Sequence, residues 1–319
     1  MRLALVFPGQ GSQTVGMGHT LTGPATEQVF RTADEALGGG LAALIAAGPA
    51  EQLDLTENSQ PAILATSIAL FRAWSDAAAT AGWPAPVAFA GHSMGQYSAM
   101  VAAGVLDLAD ALRLVRARGR LMQGSSPDGA MAAIIGLEDA RIPELEAVGR
   151  AAGVFTVANR NSPGQIVVSG ATAAVRAAAE AAKGLGAKRA IVLPVSVAAH
   201  SPLMAAAADG MRAELAGITF RDPIAPLLAN ADARPLTTGE ACRGELIEHL
   251  TRGVDWVRII QTLTTEGVDT FVEVGPGKVL TNLIRRIAPD ARTLASDDPS
   301  SATGVPDASS LLDQPHATE

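Results

Sequence analysis

The sequence predicts an α/β protein, a larger α/β body interrupted by a compact ferredoxin-like (βαββαβ) subdomain. Three observations carry this expectation. A short apolar run, Pro86 to Ala90, passes through Gly91-His92-Ser93-Met94-Gly95 into a helical stretch, the strand–turn–helix grammar of α/β folds. The middle of the chain alternates strand-like and helix-like segments in the order β-α-β-β-α-β within about 70 residues. Apolar residues make up 48% of the chain and aromatics only 3%, so the core must be built from Ala, Val, Leu and Ile.

Taken in order, Leu3 to Phe7 is a buried strand that ends in Pro8-Gly9-Gln10-Gly11-Ser12-Gln13. Ser59 to Ala77 reads as a helix, with Pro61 near its first turn and Ile63, Leu64, Ile68, Leu70 and Phe71 apolar nearly all round. After the strand at Pro86 to Ala90 a helix runs to Ala103. Leu108, Ala111, Leu112, Val115 and Met122 recur at helical spacing. The subdomain follows: strand Ala130 to Leu137, helix Ala140 to Ala152, strands Val154 to Ala158 and Gln165 to Ser169 joined by an Asn-Ser-Pro-Gly turn, helix Thr172 to Leu185, and strand Arg189 to Val195. The body resumes near His200 and includes a strand at Thr270 to Val274, then Gly275-Pro276-Gly277 and a helix to Ile287. The expected division is therefore 1–128 with 198–295 as the body, 129–197 as the subdomain, and an aperiodic Ser, Asp, Pro and Ala tail over 296–319.

Charge and cysteine content narrow the function classes. The net charge of −8 argues against a general nucleic-acid binder, and the single Cys242 excludes both an internal disulfide and a cysteine metal site. No apolar run approaches the ~18 residues of a membrane span, and the apolar start is too short for a signal peptide. A cytoplasmic protein is expected. Gly9-Gln10-Gly11-Ser12-Gln13-Thr14 lacks the last glycine of a dinucleotide loop, and Gly275-Pro276-Gly277-Lys278-Val279 has Val where a Walker loop needs Ser or Thr. No metal-ligand spacing occurs, so neither a metal nor a cofactor is expected.

The G-x-S-x-G at 91–95 places Ser93 on a sharp turn at a helix N-terminus, where free N–H groups favour developing negative charge. The bland alternative is a glycine turn with a capping serine. A nucleophilic serine needs a base. Of the five histidines, His316 lies in the tail and His19 in a loop-like stretch. His92 should point away around the turn, and His249 reads as a solvated helix residue. His200 stands where a buried strand emerges and is the candidate base, against a hydrogen-bonded structural histidine. Arg118 borders the apolar arc of its helix, unlike Arg113, Arg116 and Arg120, and needs a carboxylate partner. Spacing leaves open whether that partner is an internal acid or a bound substrate.

The motifs FPGQGSQ (Phe7 to Gln13), GHSMGQYSA (Gly91 to Ala99), RGRLMQ (Arg118 to Gln123), NSPGQIVVSG (Asn161 to Gly170), LPVSVAAHSPLM (Leu193 to Met204) and VEVGPGKVL (Val272 to Leu280) resemble, in order, those of malonyl-CoA:acyl carrier protein transacylases. The resemblance implies an α/β-hydrolase-like body with the ferredoxin-like insert, and transfer of malonyl from CoA to the phosphopantetheine thiol of acyl carrier protein. It implies Ser93 as nucleophile, His200 as base, backbone N–H groups of Gln10 and Met94 as oxyanion hole, and Arg118 as clamp on the malonyl carboxylate. It also places Asn159 and Asn161 in the pocket and a backbone carbonyl, matched loosely to Asp255, behind the histidine. The expected partners are malonyl-CoA and acyl carrier protein, neither nucleic acid nor membrane, and the chain is expected to be a monomer. An acidic carrier calls for a local basic patch, with Lys188, Arg189, Arg285 and Arg286 as candidates.

Two departures stand out. Gln96 replaces the family's usual Glu and removes a charge expected near the mouth, and the small Ala199 before the base leaves room for a branched acyl group. Three readings compete: a free-standing polyketide acyltransferase with another acyl unit or carrier, a serine thioesterase or hydrolase, and a non-catalytic binding protein. A hydrolase would want a clear Asp or Glu partner for its histidine.

Overall fold

The computed structural model describes residues 1–125, 128–195 and 197–296. The expected tail lies, from residue 297, outside the described residues, and His316 with it. The strands are β1 Leu3–Phe7, β2 Ala88–Gly91, β3 Gly129–Ile135, β4 Phe155–Ser162, β5 Gln165–Ala171, β6 Arg189–Val192, β7 Leu227–Leu228, β8 Pro235–Leu236, β9 Val254–Asp255, β10 Thr270–Glu273 and β11 Arg292–Ala295. The α-helices are α1 Pro24–Leu37, α2 Leu41–Ala47, α3 Ala50–Leu53, α4 Thr56–Thr80, α5 Gly95–Ala102, α6 Leu108–Ser125, α7 Ile142–Ala151, α8 Thr172–Ala182, α9 Ala205–Leu215, α10 Gly239–Glu248, α11 Trp256–Thr265 and α12 Val279–Ile287.

Two sheets organise this mixed α/β fold. The first has the order β11-β10-β1-β2-β7-β8 and is parallel from β11 to β7. Strands β1, β2, β7 and β10 are buried on both faces, and side chains of β1 and β2 alternate between two cores. Leu3, Leu5, Phe7 and Phe89 face one core with residues of α4, α5, α6 and α9, whereas Ala4, Val6, Ala88 and Ala90 face the other with α11 and α12. The parallel strands β1 and β2 both end at the same edge, where Phe7 pairs with Gly91. Ligands of open α/β sheets gather at the carboxyl ends of such strands.

The second sheet has the order β6-β3-β5-β4-β9. Residues 129–192 run β3-α7-β4-β5-α8-β6 and enclose their own apolar cluster around Ile134, Leu145, Val168 and Val175. Strand β9, from beyond residue 198, joins this sheet by pairing parallel to β4. The second sheet is thus not closed within 129–197.

Boundaries differ from the sequence reading for physical reasons. Helix α4 starts at Thr56, nearly a turn before the expected start, so Pro61 lies inside it. Strand β4 extends to Ser162 rather than Ala158 because two irregularities of register, at Val157/Asn159 and Arg160/Ser162, break the alternation that sequence patterns reveal. Strand β6 stops at Val192, ahead of Leu193 and Pro194, since proline lacks the N–H a further ladder bond requires. Among the described residues, no helix is long and apolar enough to cross a membrane.

Candidate functional site

The site is built at the carboxyl end of β2. The chain leaves the strand at Gly91 and enters α5 at Gly95, and Ser93 between them takes φ +53°, a conformation that costs an L-residue energy and is kept where surrounding contacts over-determine it. Both glycines are required by close approach. A Cβ on Gly91 would lie 2.2 Å from the Gln96 nitrogen, and one on Gly95 would lie 2.2 Å from the Phe7 carbonyl oxygen and 2.7 Å from that of Pro8. The turn is therefore wedged against the end of β1, where the Gln10 loop begins.

Ser93 Oγ lies 2.8 Å from His200 Nε2. His200 also has positive φ, +60°, and the residue is 3% exposed. Its Nδ1 lies 2.6 Å from the carbonyl oxygen of His249 and 3.1 Å from that of Arg252. Carbonyls only accept, so Nδ1 carries the proton and Nε2 offers its lone pair to the serine hydroxyl. Burial, then the positive charge of Arg118, hold the His200 pKa down at about 4. The imidazole is consequently neutral at physiological pH, as a base must be.

Arg118, on α6, is 1% exposed. Its Nη1 donates to Gln60 Oε1 at 2.8 Å and its Nη2 to Ser93 Oγ at 3.1 Å, while Nε has no partner. Among the described residues no acid forms an ion pair with it. The internal-acid alternative left open by the sequence is thereby excluded for these residues, and a buried cation without a counter-charge faces the serine. Burying an uncompensated charge is costly, which favours an anionic group brought in from outside.

The other expected residues divide. The N–H groups of Gln10 and Met94 have no hydrogen-bond partner within the chain among the described residues. The Ser93 N–H is taken by Asn230 Oδ1 at 2.8 Å. Asn161 Oδ1 accepts from His92 Nε2 at 2.9 Å, and the His92 ring lies 5.6 Å from that of Trp256. Asn159 is buried in β4 opposite Val254, without a side-chain hydrogen bond to Ser93, His200 or Arg118. Asp255 does not orient His200. Its side chain caps α11 by accepting from the Arg258 N–H at 3.0 Å, and the carbonyls behind the imidazole are those of His249 and Arg252.

Two further expectations are corrected. His249 is not a solvated helix residue: it is 1% exposed, follows the last turn of α10, and its ring nitrogens have no hydrogen-bond partner among the described residues. Gln96 is fully buried rather than near a mouth, accepting from the Gly91 N–H and donating to the Leu228 carbonyl, each at 2.9 Å. A carboxylate there would have no proton for Leu228. Gln60 and Asn230 escaped the sequence reading, because a buried amide has no periodicity or motif of its own.

With this geometry in place, the comparisons with known proteins are direct. Residues 4–309 match the acyl transferase domain family. The chain is 47% identical over 303 residues to a malonyl CoA-acyl carrier protein transacylase of Escherichia coli K12, covering 94% of this chain and 97% of that one. An acyl carrier protein S-malonyltransferase structure from Vibrio cholerae superposes with TM-score 0.91 at 42% identity, covering 96% of this chain and 100% of that one. A malonyl-transacylase solved in complex with its type II PKS acyl-carrier protein gives TM-score 0.90 at 42% identity, over 95% and 98%. By sequence, by fold and by the arrangement around Ser93, the chain belongs to the acyl transferase domain family and, within it, to the malonyl-CoA:acyl carrier protein transacylases.

Proposed function

We propose that this protein is an [acyl-carrier-protein] S-malonyltransferase that works through a malonyl-serine intermediate on Ser93. The observation that carries the reading is a single hydroxyl with two neighbours: Ser93 Oγ lies 2.8 Å from an imidazole nitrogen and 3.1 Å from a buried guanidinium that pairs with no acid among the described residues. His200 takes the serine proton as Oγ attacks the thioester of malonyl-CoA. The tetrahedral oxyanion is held by the Gln10 and Met94 N–H groups, each worth on the order of 3 kcal/mol of barrier. The thioester C–S bond breaks, and His200 returns the proton to the CoA thiolate. The phosphopantetheine thiol of acyl carrier protein then attacks the ester in the same geometry, giving its proton to His200, and Ser93 recovers a proton as it leaves.

Arg118 holds the malonyl carboxylate by paired N–H donors and keeps the acyl group turned toward the carrier thiol rather than water. Asn159 and Asn161, both in β4, line the pocket from the second sheet. The architecture is an α/β-hydrolase-like body with a ferredoxin-like insert over 129–197. No cofactor is needed, because thioester and serine ester are close in energy and each acyl transfer needs only a nucleophile, a proton acceptor and oxyanion donors. The chain acts as a cytoplasmic monomer with neither nucleic acid nor membrane as partner.

The carrier meets a basic patch. Gln165, Ile135 and Arg189 stand in register across β5, β3 and β6, about 10 Å from first to last at the usual strand spacing. Arg286 Nη1 donates to Gln165 Oε1 at 3.0 Å, so the exposed Arg286, Lys188 and Arg189 gather at one end of the second sheet, with Arg285 next to them in sequence but donating to Thr293 of β11. Ala199, half-buried before the base, leaves the choice between malonyl and a branched acyl unit to measurement.

The test mixes the protein with malonyl-CoA, with and without holo acyl carrier protein, and follows CoA, malonyl-carrier and free malonate. The expected result is stoichiometric malonyl-carrier and slow malonate release. Rapid malonate release that ignores the carrier overturns the reading in favour of a thioesterase.

A further inference from the structure

The Ser93 turn is held by more than its glycines. Asn230, two residues past β7, is completely buried, and each of its polar groups is committed. Its Nδ2 donates to the Gly91 carbonyl at 2.9 Å, and its Oδ1 accepts the Ser93 N–H at 2.8 Å. Its own N–H donates to Glu245 Oε1 at 2.7 Å, and its carbonyl accepts the Asp255 N–H at 2.7 Å. One amide thus spans the two ends of a three-residue segment whose middle is the bend and whose last residue has φ +53°. An asparagine is suited to this, since it presents a donor and an acceptor side by side.

Glu245 is 2% exposed on α10, and its second oxygen lies 3.7 Å from Arg234 Nη2. One turn further along the same helix, the His249 N–H donates to the Glu245 carbonyl at 3.0 Å, and the His249 carbonyl accepts from His200 Nδ1 at 2.6 Å. The last turn of α10 therefore reaches both halves of the reacting pair. Through Glu245 and Asn230 it reaches the backbone of Ser93, and through His249 it reaches the imidazole of His200.

We infer that Asn230 and Glu245 are positioning residues for acyl transfer: they index the Ser93 turn to the same helix end that indexes His200, and so set the distance between nucleophile and base. The inference rests on the reading of Ser93 as nucleophile and His200 as base. Holding reacting groups in register is worth much in rate, and a misplacement of about 1 Å costs on the order of a hundredfold. The Asn230–Ser93 bond also leaves the Ser93 N–H unavailable to an oxyanion, so that Met94 and Gln10 are left to supply the hole.

The experiment measures the rate constant of malonyl-enzyme formation from malonyl-CoA by rapid quench and intact mass, together with KM for malonyl-CoA and the thermal unfolding midpoint. Asn230→Ala is expected to slow acylation by roughly 30-fold or more while KM stays within about twofold, the pattern of lost alignment rather than lost binding. Glu245→Leu is expected to slow acylation about tenfold, and Glu245→Gln, which keeps an acceptor for the Asn230 N–H, to restore it to within about threefold of the parent rate. A folded Asn230→Ala that acylates at the parent rate overturns the inference. Should Asn230→Ala not fold, the Glu245 pair decides: Leu slower than Gln supports the inference, and equal rates overturn it. A parent protein that takes no malonyl on Ser93 overturns the underlying reading instead, so the two failures are distinct.

Discussion

At the scale of single residues, the hydrogen bonds of the candidate site converge on one serine oxygen. It is hydrogen-bonded to a histidine whose tautomer is dictated by carbonyls and approached by an arginine that has no counter-ion among the described residues. Burial and the Arg118 charge depress the His200 pKa to about 4, well under its unfolded value near 6.5. Two consequences follow in pH. The acid limb of kcat/KM for malonyl-CoA is expected near pH 4 instead of 6.5, and Arg118→Gln should move it upward by removing one depressing charge. The same depression makes His200's contribution to stability present above pH 6.5 and lost as pH falls from 6.5 through 4, because the unfolded chain takes up the proton first. A pH–rate profile with an acid limb at 6.5 would contradict this environment. Ser93, His200 and Arg118 could be read from sequence because each sits in a motif or at a patterned position. The groups behind them could not. Every residue has a carbonyl, so nothing in the His249 side chain announced that its backbone would hold His200, and Asp255 was chosen from a loose match a few positions away. Asn230 was hidden for a similar reason: 137 positions separate it from Ser93, and only the fold brings them together.

At the scale of elements, Arg118 is placed by a helix contact. Its neighbour Gly119 on α6 packs on the first turn of α4, where an added Cβ would lie 2.6 Å from Glu57 Cα and 2.7 Å from the Thr56 carbonyl oxygen. The same region of α4 supplies Gln60, the acceptor for Arg118 Nη1. Gly119→Ala must therefore push the helices apart, at a cost of about 1–3 kcal/mol in unfolding free energy. It is also expected to narrow the preference for malonyl-CoA over acetyl-CoA, because the guanidinium moves with α6. Urea unfolding and the two kcat/KM values check this, and an unchanged selectivity in a destabilised variant would show that α6 does not set the clamp. Strand–turn–helix patterns located β1, β2, α5 and the alternating order of 129–192 because each obeys a local period. Strand ends were less visible where bulges in β4 or the proline after β6 broke that period. The two-residue strand β9 is too short to carry any period, yet it joins the second sheet to the segment that follows the His249 turn.

At the scale of the whole molecule, the site lies where two sheets meet. His92 and Ser93 follow the end of β2 in the first, and the His92–Asn161 hydrogen bond reaches into the second. The acidic chain, with net charge −8, nevertheless gathers the exposed Lys188, Arg189 and Arg286 at one end of that second sheet, while Arg285 donates to Thr293 of β11. Reversing Arg189 and Arg286 to Glu is expected to raise KM for acyl carrier protein about tenfold, with the KM difference shrinking in high salt and malonyl-CoA acylation unchanged. Equal loss in both half-reactions would contradict a docking role. The proposed reaction turns Ser93 into a malonyl ester beside Arg118. It is tested most directly by the intact mass of the protein after exposure to malonyl-, methylmalonyl- and acetyl-CoA, with the modified peptide mapped. One malonyl group is expected on Ser93, none in Ser93→Ala, and a loss of malonyl but not acetyl loading in Arg118→Ala. Malonyl found elsewhere, or loading indifferent to Ser93, would contradict it.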